Sequence, residues 1–102
     1  MKEIDMDIDW RTVQFFIDEE GEVSEVQIDN YNHKKIRCTC GLFSKAARCK
    51  HTKFVKGRME ENDGHYAVLV PVDIDDDIAM EAMSSSESFR KFILMYGKVE
   101  LI

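Results

Sequence analysis

The chain has 102 residues, enough for one domain, and its 44% hydrophobic and 33% charged residues are typical of a globular protein and exclude a wholly disordered one. No apolar run approaches the roughly 20 residues that a membrane-spanning helix needs, and the acidic start at residues 1–5 lacks the apolar core of a signal peptide. We therefore expect a protein without a membrane partner in a reducing compartment: the cytoplasm or nucleus, or the host cytoplasm for a phage-encoded protein.

The net charge of −6 is unevenly distributed along the chain. Nine of the fourteen Lys and Arg residues lie between His33 and Arg58, and none of the twenty Asp and Glu residues does. A basic block inside an acidic protein indicates an interaction surface.

The first forty residues predict strands. Residues 10–18 are rich in β-branched and aromatic types, and alternation places Val13, Phe15 and Ile17 on one face. Residues 23–29 and 34–40 follow as further strands. Short polar connections favour a three-stranded antiparallel meander.

A helix is predicted next, from about residue 49 to residue 61. At 100° per residue, His51, Val55 and Met59 share one side of it, and several lysines lie on the other side. Residues 65–72 are a strand candidate, with Pro71 confining that strand to an edge or ending it.

The C-terminal third predicts helices and one more short strand. A short helical piece is expected at residues 78–83, and Ser84-x-x-Glu87 has the spacing of a capping box. The helix that this box opens carries an apolar stripe and ends at Gly97, before a last strand within residues 98–102. The stripe, interpreted as core, consists of Phe89, Phe92, Ile93 and Tyr96.

Three cysteines and one histidine form the pattern Cys38-x-Cys40, eight residues, Cys49-x-His51. Residues i and i+2 of a strand point to one side, so Cys38 and Cys40 can face one point. On a helix such residues lie about 200° apart, so Cys49 must sit at or before the first turn. Three thiolates and an imidazole make a closed tetrahedral set, which predicts one structural Zn²⁺.

Other interpretations of these residues remain. The thiols could be buried without metal, or Cys49 and His51 could form a catalytic pair, although no third orienting group is visible. A catalytic zinc needs an open position, which four ligands do not leave, so we expect no enzyme activity and no small-molecule substrate. His33 and His65 are alternative ligands that we interpret as solvated. The aspartates of residues 73–77 lack a Ca²⁺-loop spacing and are interpreted as an acidic turn.

The pair Cys38-Thr-Cys40 and Cys49-Lys-His51, with a strand before it and a helix after it, resembles the SWIM-type zinc finger, whose pattern is CxC…CxH. The resemblance covers about residues 23–59, and the flanking segments match no motif. It implies a stand-alone zinc-stabilised module that binds DNA or protein.

The expected fold is therefore one α+β domain over residues 1–102. A small antiparallel sheet, the three-stranded meander plus possible extra strands, carries a zinc-clasped helix and a C-terminal helix, with the finger at 23–59 and a strand-helix extension at 64–102. The basic residues around the zinc suit nucleic-acid phosphates. The candidates for nucleic-acid contact are Lys34, Lys35, Arg37, Lys45, Arg48, Lys50, Lys53 and Lys56.

Two observations weaken that interpretation and leave a second one open. The site itself carries about −1 if all thiolates are ionised, and the acidic segment at residues 73–81 could cover the basic block. The alternative is a protein-interaction adaptor that uses the finger or an exposed surface at Trp10 and Phe16. The sequence indicates neither the oligomeric state nor a preference between DNA and RNA.

Overall fold

The computed structural model describes residues 8–41 and 49–102. Within them the chain forms a four-stranded sheet in the order β3-β2-β1-β4 and three helices, so the predicted α+β class is confirmed. The strands are β1 (Trp10–Ile17), β2 (Val23–Asp29), β3 (Ile36–Cys38) and β4 (Glu100–Leu101), and the helices are α1 (Lys50–Glu60), α2 (Asp76–Ala82) and α3 (Ser86–Tyr96).

The sheet is mixed rather than antiparallel. The predicted meander β1-β2-β3 is antiparallel, but β4 pairs with β1 in parallel, through Phe16 with Glu100 and Ile17 with Leu101. The long helical crossover between β3 and β4 permits this direction, since a parallel neighbour needs a connection that returns to the starting end of the sheet.

Strand β1 is covered on both faces, because Phe16 contacts Phe54 of α1 on one side while α3 packs on the other. The predicted common face of Val13, Phe15 and Ile17 is wrong. A β-bulge between Thr12 and Gln14 shifts the register, so Val13 and Phe16 both enter the core under α1. Phe15 lies on the other face, beneath the Arg90 guanidinium.

The core under α1 is compact and partly aromatic. Phe16, Val26 and Val55 have no exposed surface, and the Phe54 ring meets Phe16 edge to face at 5.4 Å. Each such side chain stabilises the fold by about 1.5–3 kcal/mol through burial. This core joins α1 to the strands that carry two of the predicted ligands.

The segment at residues 65–72 forms no strand. The Lys98 N–H, between α3 and β4, donates to the Leu69 carbonyl at 2.9 Å. Pro71 removes a donor, and the segment instead attaches through the Tyr66 hydroxyl, which donates to Gln14 Oε1 at 2.8 Å. No helix in the described part of the chain is long and apolar enough to cross a bilayer.

The C-terminal helices begin near the predicted positions. The N-cap of α3 is Ser85 rather than Ser84, and its hydroxyl accepts the Ser88 N–H at 3.0 Å. Gly97 ends α3 as predicted, but with an ordinary φ of −72°. A Cβ at Gly97 would lie 2.8 Å from the Ile93 carbonyl oxygen, so glycine is required there for space rather than for a left-handed conformation.

A salt bridge ties α3 to β2. Arg90 Nε lies 2.9 Å from Glu25 Oε2, and Thr12 donates a hydrogen bond to the same carboxylate. Burial favours the neutral form of Glu25, but the hydrogen bonds from Arg90 and Thr12 outweigh it and lower the pKa of this carboxyl. The folded state therefore prefers Glu25 ionised.

Candidate metal centre

The end of β3 carries the first two candidate ligands. Regular pairing stops at Cys38, but the Thr39 N–H still donates to the Glu25 carbonyl at 3.1 Å. The extended geometry therefore continues far enough for Cys38 and Cys40 to point the same way. Cys38 is buried and Cys40 is half-buried.

The start of α1 carries the other two candidate ligands. Cys49 is the N-cap, with extended φ and ψ of −162° and 174°, and His51 is the second helical residue. Because Cys49 stands outside the helix, the 200° separation of a regular helix does not apply to this pair. Cys49 and His51 can therefore turn toward one point, as the sequence required.

The four ligand atoms converge. The Cys38, Cys40 and Cys49 sulfurs and a His51 ring nitrogen all lie within 4.8 Å of one another. His51 Nδ1 is 3.6 Å from Cys38 Sγ and 3.8 Å from Cys49 Sγ. Zn–S bonds of about 2.3 Å and Zn–N bonds of about 2.0 Å in a tetrahedron place such atoms about 3.6 Å apart. The cluster can therefore hold a metal ion if the two ligand atoms that lie farthest apart move about 1 Å closer together.

Burial and hydrogen bonds shift the pKa values of the Cys38 and Cys49 thiols in opposite directions. Burial raises the pKa of the Cys38 thiol to about 12, although the Cys40 backbone N–H favours its thiolate. Burial also opposes ionisation of Cys49, but hydrogen bonds from Thr52 outweigh burial and lower the pKa of that thiol. A bound cation would supply the charge that lets all three thiols ionise together.

The imidazole is held in the form that a metal needs. Burial, with the nearby positive charge of Lys50, lowers the pKa of His51, and the carboxylate of Asp18 opposes this only in part. The Phe16 ring packs against the imidazole at 4.8 Å between centroids. The fold therefore favours the neutral imidazole, the form that binds a metal, at the edge of the core.

Thr52 is a site residue that the sequence analysis missed. Its backbone N–H donates to Cys49 Sγ at 3.5 Å, and the Cys49 N–H donates to Thr52 Oγ1 at 3.1 Å. This is a capping box with cysteine in the place of serine, and the spacing Cys49-x-x-Thr52 was its signal in the sequence. Thr52 thus orients a ligand without being one.

The two remaining histidines lie elsewhere. The rings of His33 and His65 contact each other at 5.3 Å, and neither belongs to the cysteine cluster. Among the described residues, the aspartates of residues 73–77 form no group that could hold a metal. Asp76 and Asp77 instead occupy the first turn of α2, where the helix dipole favours negative charge.

The candidate nucleic-acid residues form a mixed set. Arg37 already makes contacts within the protein: its guanidinium lies 4.4 Å over the Trp10 ring, and its Nε donates to Gln27 Oε1. Lys45 and Arg48 lie outside the described residues. Arg37 is exposed as well, and the exposed lysines of the set, none of which takes part in a salt bridge between described residues, are Lys34, Lys35, Lys50, Lys53 and Lys56.

Neither family models nor curated proteins nor solved structures gave a significant match to this chain. The site is therefore described by its own chemistry: a Cys3His cluster, mostly buried, at the junction of a strand end and a helix start.

Proposed function

We propose that the chain is a non-enzymatic module in which one Zn²⁺ fixes the junction between β3 and α1. The convergence of four ligand atoms within 4.8 Å carries this proposal. Three thiolates with one imidazole suit zinc better than Mg²⁺ or Ca²⁺, which prefer oxygen ligands. Four protein ligands complete a tetrahedron, so water has no coordination position from which to react.

The local structure around the ligands supports a stand-alone SWIM-type finger. The CxC pair stands at a strand end, and the CxH pair opens a helix from its N-cap. This is the layout that the resemblance implies. Zinc in such a site contributes on the order of 10 kcal/mol to folding, which is comparable to the whole stability of a small domain.

Ligand replacement tests the zinc assignment. Cys40→Ser and His51→Ala should lose zinc and the helical signal of α1 together, measured by metal analysis and circular dichroism. His65→Ala is the matched control, because His65 lies outside the cluster and the variant should keep one zinc. A folded Cys40→Ser protein that retains full zinc would refute the ligand set.

For the basic surface, the proposed role is contact with nucleic-acid phosphates. Lys50, Lys53 and Lys56 lie exposed on α1, and Lys34 and Lys35 lie exposed before β3. The acidic segment at residues 73–81 makes no salt bridge with these described lysines, which removes one reason to regard the patch as neutralised within the fold. Lysine side chains so placed attract phosphates in a salt-dependent way.

A salt series of fluorescence anisotropy tests this role. The double variant Lys50→Glu/Lys53→Glu should weaken binding to labelled DNA and reduce the salt slope by about 2. The matched control compares two single variants with the same charge change, Lys53→Glu on α1 and Lys91→Glu on α3, and Lys91→Glu should bind more tightly. Equal affinities of the two variants would exclude α1 as the contact surface.

A protein-interaction adaptor is the second candidate, and a different surface favours it. The expected Trp10/Phe16 surface does not exist, because Phe16 is fully buried and Arg37 covers Trp10. Instead, α2 and α3 expose large apolar side chains, with Met80 72% exposed and Met95 70% exposed. Methionine-rich surfaces adapt to partners. A partner whose capture is lost in Met80→Glu/Met95→Glu, with DNA binding unchanged, would support this candidate.

A further inference from the structure

A cleft lies between the β2–β3 connection and the C-terminal end of α1. Its volume is about 750 Å³, within the roughly 300–1,000 Å³ range of small-ligand sites. Ile36 and Met59 contribute apolar surface to it, and both pack in the core under α1. One wall of the cleft is therefore formed by residues of the hydrophobic core.

Tyr31 stands at the mouth of the cleft with 78% of its surface exposed. Side-chain hydrogen bonds stabilise the turn that carries Tyr31. The Tyr31 N–H donates to Asp29 Oδ1 at 3.0 Å, and the Lys34 N–H donates to Asn32 Oδ1 at 3.1 Å. An aromatic ring held by an ordered turn and contributing little to the core is suited to stacking, since binding has little backbone entropy to remove.

The polar lining of the cleft suits a phosphate next to a flat ring. Lys34 and Lys56 supply positive charge from two different elements, and neither is in a salt bridge with another described residue. The His33 and His65 rings pack edge to face and add hydrogen-bonding nitrogens. Glu60 is the one carboxylate among the described lining residues, so the charge balance of the cleft favours an anion.

We propose that this cleft binds an unpaired base of a single-stranded nucleic acid, stacked on Tyr31, with an adjacent phosphate at Lys34 and Lys56. The inference rests on the proposed nucleic-acid role of the basic surface and adds to it a preference for single-stranded over double-stranded nucleic acid. Bases within a duplex are already stacked on their neighbours, so only a single strand can place one on Tyr31 without unstacking it.

The test compares labelled oligothymidylate, an abasic strand of equal length and a duplex, each titrated with the zinc-loaded full chain. Tyr31→Ala should weaken oligothymidylate binding by roughly 5- to 150-fold, the loss expected for one stacked base. It should leave abasic and duplex affinities unchanged. Tyr31→Phe keeps the ring and should bind as the wild type. Because Tyr31 is exposed, all variants should retain zinc and circular dichroism, which is checked first.

The outcomes separate this inference from the proposed function. If Lys50→Glu/Lys53→Glu weakens all three probes while Tyr31→Ala weakens none, the phosphate-binding role stands and the stacking site is refuted. Equal wild-type affinity for the abasic and thymidine strands refutes stacking as well, because a phosphate alone would then account for binding. If no probe binds at low salt, both proposals fall.

Discussion

Replacing Thr52 by valine tests whether the capping box at the start of α1 stabilises the fold. Valine has nearly the same shape but no hydroxyl. Thr52 Oγ1 accepts the buried Cys49 N–H at 3.1 Å and also lies 3.1 Å from the Cys49 carbonyl oxygen. A buried N–H left without a partner costs about 1–3 kcal/mol, so we expect a loss of about 2 kcal/mol.

For a domain of this size, that loss corresponds to a fall in Tm of about 10 °C. Thermal unfolding followed by circular dichroism at fixed free zinc measures it, since ligand concentration shifts Tm. Thr39→Val is the matched control. Its hydroxyl accepts the Glu25 N–H at an exposed position, where water can replace it, so the loss should stay below about 0.5 kcal/mol. Equal losses in Thr52→Val and Thr39→Val would refute the argument.

Three further predictions concern the fold outside the Cys3His cluster. Glu25→Gln should lower the urea midpoint at neutral pH, because the lowered pKa of Glu25 means that its ionisation stabilises the fold. This contribution is present above the unfolded pKa and is lost as pH falls through the folded pKa, so variant and wild type should converge in acid. Gly57→Ala should stabilise α1 by about 0.5–1 kcal/mol, because a Cβ there meets nothing within 4 Å. Gly97→Ala should destabilise by about 1–3 kcal/mol through its clash with the Ile93 carbonyl, and denaturant titrations that rank the two glycine variants oppositely would contradict this.

The convergence of Cys38, Cys40, Cys49 and His51 could be predicted from the sequence because its geometry is local. Two short spacings, on a strand and at a helix start, fix where four side chains point, and the helix face of His51, Val55 and Met59 followed from the 3.6-residue period. Thr52 was missed because the usual capping-box pattern has serine or threonine at the first position, whereas here the cap is Cys49.

Features that depend on distant parts of the chain could not be predicted in the same way. The bulge at Val13 is one inserted residue in an otherwise regular pattern, and nothing in residues 10–18 requires it. The parallel direction of β4 depends on the path through three helices. The Arg37–Trp10 contact and the Arg90–Glu25 salt bridge join residues far apart in sequence, so the availability of each basic side chain had to come from the structure.

Titration of the metal-stripped protein with Co²⁺, followed by visible absorption, tests the central claim most directly. Co²⁺ accepts the same tetrahedral sulfur and nitrogen ligands as zinc but absorbs visible light. We predict intense tetrahedral bands with sulfur charge transfer that saturate at one Co²⁺ per chain, disappear on addition of one Zn²⁺, and are weakened or lost in Cys40→Ser. A weak octahedral spectrum, or a wild-type spectrum unchanged in Cys40→Ser, would contradict a Cys3His zinc site.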